Sequence, residues 1–168
     1  MTDLNEQLTQ LSRGCEGIYA IEELKKKLES GRRLRVKLGM DPTAPDIHLG
    51  HTVVLRKMRQ FQDMGHTAVL IIGDYTARIG DPTGRDTTRP VLNEKDIDFN
   101  ATTYLEQAGK VLDTSPDKLK VRRNSEWLAS LSFADGLKHA GQVTGQQMLY
   151  RENFKKRMAE DREIMVSE

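Results

Sequence analysis

Thr67-Ala68-Val69-Leu70-Ile71-Ile72 is a near-continuous apolar run between Gly65-His66 and Gly73, and it narrows the possible folds more than any other stretch. Its length suits a strand rather than a helix. A strand without polar alternation is covered on both faces, as in a parallel sheet. Upstream, Arg35-Val36-Lys37-Leu38-Gly39-Met40 alternates like a strand, Asp41-Pro42-Thr43-Ala44-Pro45-Asp46 breaks it, and a helix is predicted from Leu49 to Met64. Strand, helix and buried strand make a βαβ unit. Its right-handed crossover predicts an α/β fold, the first half of a Rossmann-like doubly wound parallel sheet.

The remaining pattern adds helices around that unit. Residues 3–12 and 18–29 read as amphipathic helices, the second with Ile18, Ile21, Leu24 and Leu28 in helical register and Gly31 as its stop. Residues 73–84 form a Gly-rich loop and 85–93 a charged segment without period. A helix is predicted over 94–112 and a weaker strand over 118–122, ended by Asn124. Short helical pieces follow at 126–131, 133–140, 144–150 and 151–160. The chain divides into N-terminal helices, 1–32, and a partial Rossmann domain with a helical insertion, 33–168. The final residues, Ile164 to Glu168, stop inside a periodic stretch without a cap, so an incomplete catalytic domain is expected.

Composition removes several classes. The single cysteine, Cys15, excludes a disulfide framework and a cysteine metal site, and a buried or idle thiol is expected. No apolar run approaches the roughly 20 residues that span a bilayer. Asp3, Glu6, Glu16, Glu22, Glu23 and Glu29 fit neither a secretory leader nor a transit peptide, so the cytoplasm is the expected compartment. A formal net charge of +1 gives no global basic field, so any RNA contact must use a local patch or other segments. Arg32, Arg33, Arg35 and Lys37 could form such a patch, but they fit an exposed strand edge better. His66 and His139 read as surface residues. Met148, Leu149, Phe154 and Met158 read as a helix-packing stripe, with a dimer contact as the alternative.

The chemistry concentrates at Asp46-Ile47-His48-Leu49-Gly50-His51, where the first strand hands over to the first long helix. Ligands of open α/β sheets bind beyond the carboxyl ends of the strands, and a helix N-terminus there favours anions. His48 and His51 share one face of the first turn. Gly50 removes a side chain, so that a flat ring can approach the backbone. Pro42 and Pro45 stiffen the turn, and Thr43 offers a hydroxyl. These parts suit a nucleoside triphosphate. A helix cap is the plainer reading of one histidine. Metal ligation is disfavoured, because helical pairs more often use i, i+4 spacing and no third ligand is evident.

Lys37 to His51 resembles the first signature of the class I aminoacyl-tRNA synthetases, and Gly39-Met40-Asp41-Pro42-Thr43 resembles their tyrosyl branch in particular. Two further blocks agree: Gly73-Asp74-Tyr75-Thr76-Ala77-Arg78-Ile79-Gly80-Asp81-Pro82-Thr83-Gly84-Arg85 and Asn124-Ser125-Glu126-Trp127. The resemblance covers about residues 30–168. It implies a tyrosine–tRNA ligase. Tyrosine's carboxylate attacks the α-phosphate of ATP, supplied with Mg2+, and the tyrosyl group then passes to the terminal ribose of tRNA(Tyr).

The resemblance also implies roles for individual residues. Thr43, His48 and His51 hold phosphates, Gly50 admits the adenine, and Asp41 faces the nucleotide and amino acid. Arg85 and Arg89 reach the leaving pyrophosphate, or else form a solvated charge pair. Asp81 grips the tyrosine ammonium, or else serves as a structural Asx-turn residue. Lys37, Gly39, Thr76, Asn124 and Trp127 surround the amino acid, with plain core as the alternative for Trp127. Lys37 stands where some tyrosyl enzymes carry a tyrosine, which leaves open the group that reads the substrate phenol.

A homodimer and a tRNA contact lying mainly in other segments are further implications. The Lys-rich second signature and most of the polar tyrosine pocket do not fall within these residues, so at most weak activity is expected of this stretch alone. Three rival readings remain: a non-catalytic half-synthetase, a tryptophanyl enzyme, and a small nucleotidylyltransferase. The Gly73–Arg85 block speaks against the last two.

Overall fold

The computed structural model describes residues 3–79 and 93–164. Three strands, β1 (Arg35–Met40), β2 (Thr67–Ile72) and β3 (Leu119–Arg123), form one parallel sheet in the order β1-β2-β3. β2 is central, pairing Val36 with Ala68 on one side and Ala68 with Leu119 on the other. Ala68, Leu70 and Ile72 are almost completely buried, as the unbroken apolar run requires.

Helix α3 (Leu49–Asp63) crosses from β1 to β2 and α5 (Glu94–Ala108) stands between β2 and β3. Both helices contribute to one core, in which Leu55 and Met58 of α3 meet Met40, Ala68, Leu70, Tyr104 and Ala108. Two successive crossovers of the same hand put both helices on the same face. Leu11 of helix α1 (Leu4–Ser12) and Leu28 of α2 (Ile21–Glu29) join Leu34, just before β1, in a second cluster against Phe61 and Met64 at the end of α3.

Several boundaries differ from the sequence expectation, among them the helix expected at 126–131, which ends at Leu128. α2 starts at Ile21 rather than residue 18, because Ala20 adopts a left-handed conformation (φ 55°) and Ile18 lies outside the helix. α5 ends at Ala108, where Gly109 caps it and a turn carries Val111 and Leu112 back to the core. The loop after β2 contains a short helix, α4 (Thr76–Ile79), started by the Ala77 amide donating to the Gly73 carbonyl at 2.9 Å. The predicted late pieces appear as α6 (Ser125–Leu128), α7 (Phe133–Ala140), α8 (Gly145–Leu149) and α9 (Glu152–Ala159).

Individual side chains bring further corrections. His66, expected at the surface, is 8% exposed, and its Nδ1 accepts from the Leu34 amide at 3.3 Å. It anchors the entry to β1 as a turn residue folded inward. Cys15 is exposed, with its thiol donating to the Leu11 carbonyl. The stripe in α8 and α9 splits: Phe154 is 2% exposed, whereas Met158 is 54% exposed. Among the described residues no helix is long and apolar enough to cross a membrane.

Candidate active site

The carboxyl ends of the three strands converge through one hydrogen-bond network. Asp41 follows β1, Gly73 follows β2 and Asn124 follows β3. The Thr76 hydroxyl donates to Asp41 Oδ1 at 3.0 Å, and Asn124 Nδ2 donates to that hydroxyl oxygen at 3.0 Å. Asn124 Oδ1 in turn accepts from the Tyr75 amide at 2.8 Å. Thr76 therefore relays between the carboxylate at one strand end and the amide at another.

Asp74 ties the outer corner. Buried to 3% exposure, it accepts from the Ser125 amide at 3.0 Å and the Ser125 hydroxyl at 2.6 Å. Arg123 Nη1 lies 3.7 Å from Asp74 Oδ2 and also pairs with Asp98 of α5. Burial pushes the Asp74 carboxyl upward, but the Ser125 bonds, the Arg123 charge and the Tyr75 amide outweigh it, and the net direction is downward. The carboxylate is thus held charged, clamping Asn124 against the loop that carries Thr76.

His48 caps α3 through its Nδ1, which accepts from the Gly50 amide at 3.1 Å, while the His48 amide donates to His51 Nδ1 at 3.2 Å. The two rings stand 4.1 Å apart. An imidazole nitrogen that accepts carries no proton, so each ring keeps its proton on Nε2. Both histidines thereby offer an Nε2–H donor at a helix N-terminus, where backbone amides already favour anions. A side chain at Gly50 would meet the His48 ring at 2.9 Å. Gly50 thus admits the capping imidazole, a reason for glycine that spacing alone did not reveal.

A pocket of about 410 Å³ opens here, lined by Leu38, Gly39, Met40, Asp41, His48, Gly50, His51, Val54 and Tyr104. That volume is within the range of small-molecule sites. A side chain at Gly39 would meet nothing within 4 Å, so the glycine faces open space. Thr43 stands half-buried in the turn, its amide donating to the Asp41 carbonyl at 2.8 Å.

The structure does not bring every expected residue to this pocket. Lys37 lines a separate depression with Leu24, Lys27, Arg32, Arg35 and Phe61. Trp127 is 41% exposed on α6 and is not core. Asp81, Arg85 and Arg89 lie outside the described residues. Tyr104, which sequence reading missed, is 4% exposed, and its ring lies 6.4 Å from that of His51. Its only sequence signal was its place in the apolar register of α5, shared with ordinary core residues. No group of three or more potential metal-ligating side chains occurs among the described residues.

Residues 29–168 match the family of tRNA synthetases class I (W and Y). The chain belongs to that family. Within this class I group it is 54% identical to the tyrosine–tRNA ligase of Symbiobacterium thermophilum, over 98% of this chain and 41% of the relative. It is 51% identical to the tyrosine–tRNA ligase of Thermotoga maritima, over 97% of this chain and 40% of the relative.

The chain therefore spans about two-fifths of the length of these class I relatives. The fold is shared with a C-terminally truncated mitochondrial tyrosyl-tRNA synthetase from Aspergillus nidulans, with TM-score 0.77, 20% identity, and coverage of 99% of this chain and 50% of that one. The tryptophanyl-tRNA synthetase of Plasmodium falciparum is also similar in fold, with TM-score 0.60, 15% identity, and coverage of 89% and 41%.

Proposed function

We propose that this protein is a tyrosine–tRNA ligase, which activates tyrosine with ATP and transfers it to tRNA(Tyr). The observation carrying the chemistry is the pair of Nδ1-capped imidazoles at the start of α3. The names of its relatives favour tyrosine over tryptophan. In this reading the tyrosine carboxylate attacks the α-phosphate, and pyrophosphate leaves. Negative charge grows on the phosphate oxygens, so fixed donors aimed at them supply most of the acceleration.

His48 and His51 supply those donors from Nε2, with the Thr43 hydroxyl beside them. Gly50 and the Tyr104 wall receive the adenosine, and Mg2+ enters on the triphosphate as part of the substrate. Asp41, Thr76 and Asn124 form the amino-acid side of the cleft, with Gly39 beside Asp41. Asp81 grips the ammonium, and Arg85 and Arg89 meet the pyrophosphate.

The division into helices 1–32 and a Rossmann part 33–168 belongs to the same proposal, as does a homodimer. Exposed apolar side chains on α7 to α9, including Phe133, Leu137, Leu149 and Met158, support the dimer. Exchange of labelled pyrophosphate into ATP by the full-length protein tests the activation step. Tyrosine should support exchange and tryptophan should not. Exchange faster with tryptophan, or none with either, would overturn the proposal.

A further inference from the structure

Three polar side chains on one stripe of α5 hold the backbone of the loop that ends in His48. Asn100 Nδ2 donates to the Pro42 carbonyl at 3.0 Å, and the Thr103 hydroxyl donates to the Pro45 carbonyl. Gln107 uses both ends of its amide: Oε1 accepts from the Ile47 amide at 3.0 Å, while Nε2 donates to the Pro45 carbonyl at 3.2 Å and Asp46 Oδ1 at 3.1 Å. Positions 100, 103 and 107 recur at spacings of three and four, so they share one helical face. The loop has prolines at 42 and 45, and the Pro42 carbonyl is buried against α5, where an unpaired polar group is costly. Pro42 is fully buried and Asn100 is 5% exposed.

The same helix is tethered at its other end. Glu94 pairs with Arg78 of α4 at 2.7 Å, and Asp98 pairs with Arg123 at the end of β3. α5 thus runs from the strand-end network, through Asp98 and Arg123, to the His48 loop, through Gln107 and Ile47.

We propose that Gln107, supported by Asn100 and Thr103, is a positioning residue that sets the His48–His51 pair for nucleotide binding. The inference rests on the functional reading above for its catalytic consequence. Gln107 touches the residue directly before the helix cap, so its amide fixes where the first turn of α3 begins. Misplacing phosphate donors by about 1 Å costs on the order of 100-fold in rate. The amide is required as such, because it must accept from Ile47 and donate to Pro45 and Asp46 at once. A carboxylate at 107 would keep the first bond and confront Asp46 with a second negative charge.

The test uses the full-length protein and its Q107L and Q107E variants. Q107L should lower kcat/KM for ATP in tyrosine-dependent exchange by about 10- to 100-fold, with the KM for tyrosine changed less than about twofold. Q107E should behave at least as badly, and adding D46N should recover part of its loss, since the side-chain amide introduced there can donate to a carboxylate. A merely structural role predicts a lower Tm with unchanged ATP kinetics and no recovery from D46N, and that result would overturn the proposal. Hydrogen exchange at the Ile47 amide supplies a readout independent of the reaction. It should quicken about fivefold in Q107L, and unchanged exchange would refute the positioning contact. Wild-type protein inactive with tyrosine would remove the functional reading and leave the contact to be judged on Ile47 alone.

Discussion

A side chain on Gly73 would come within 1.7 Å of Asp41 Oδ1, so the end of β2 leaves open the space that the carboxylate after β1 occupies. The G73A variant must push Asp41 away and break its bond from Thr76. Exchange activity should fall by about 100-fold or more, while far-ultraviolet circular dichroism stays close to wild type. Near-wild-type activity would show that the Asp41–Thr76 pair has no part in the reaction.

The two jobs of His48 are separable. Asparagine caps a helix as well as any residue, so H48N should retain stability, whereas H48A should lose about 1 kcal/mol. Both variants lose the Nε2–H donor and should lose about 100- to 1,000-fold in kcat. Denaturant titration and exchange kinetics on the same preparations check the separation. No stability loss in H48A would show that the Nδ1 cap contributes nothing.

Asp74 makes a distinct acid limb. Its carboxyl is lowered in the folded chain, so its stabilisation is present above the ordinary aspartate range, near pH 4, and is lost as pH falls through the depressed folded value. D74N should be less stable at neutral pH and show a shallower fall in stability below about pH 4. Denaturant midpoints between pH 2 and pH 7, on the order of one point per unit, check this. Parallel curves for the two proteins would refute it.

His66 acts at milder acidity. Burial, then the charges of Arg33 and Lys118, lower its pKa. The unfolded chain therefore takes up the proton first as pH falls. Stabilisation from neutral His66 is present above the unfolded value near 6.5 and is lost as pH falls through the lower folded value. H66Q can still accept from the Leu34 amide, and it should flatten the Tm profile in that window. An unchanged slope would mean that another group titrates there.

Much of this architecture was legible because periodicity and punctuation agree. The apolar run at 67–72 marked the central strand, and the break at Asp41–Asp46 marked the handover to α3. His48, Gly50 and His51 were legible from type and spacing at a strand-to-helix junction. What escaped was long-range. Gln107 and Tyr104 look like ordinary helix residues until α5 is laid on the sheet, and their partners are about 50 to 60 residues away in sequence. His66 looked solvent-facing because turn residues usually are, and only the return of β1 beside it shows why it turns inward. The left-handed Ala20 gave no sequence signal, since alanine ordinarily favours a helix.

The most direct test of the central claim is a single-turnover measurement on the full-length protein with ATP and tyrosine, without tRNA. The account predicts a burst of pyrophosphate with retained tyrosyl-adenylate, discharged when tRNA(Tyr) is added and absent when tryptophan replaces tyrosine. No burst with tyrosine, or an equal burst with tryptophan, would contradict it.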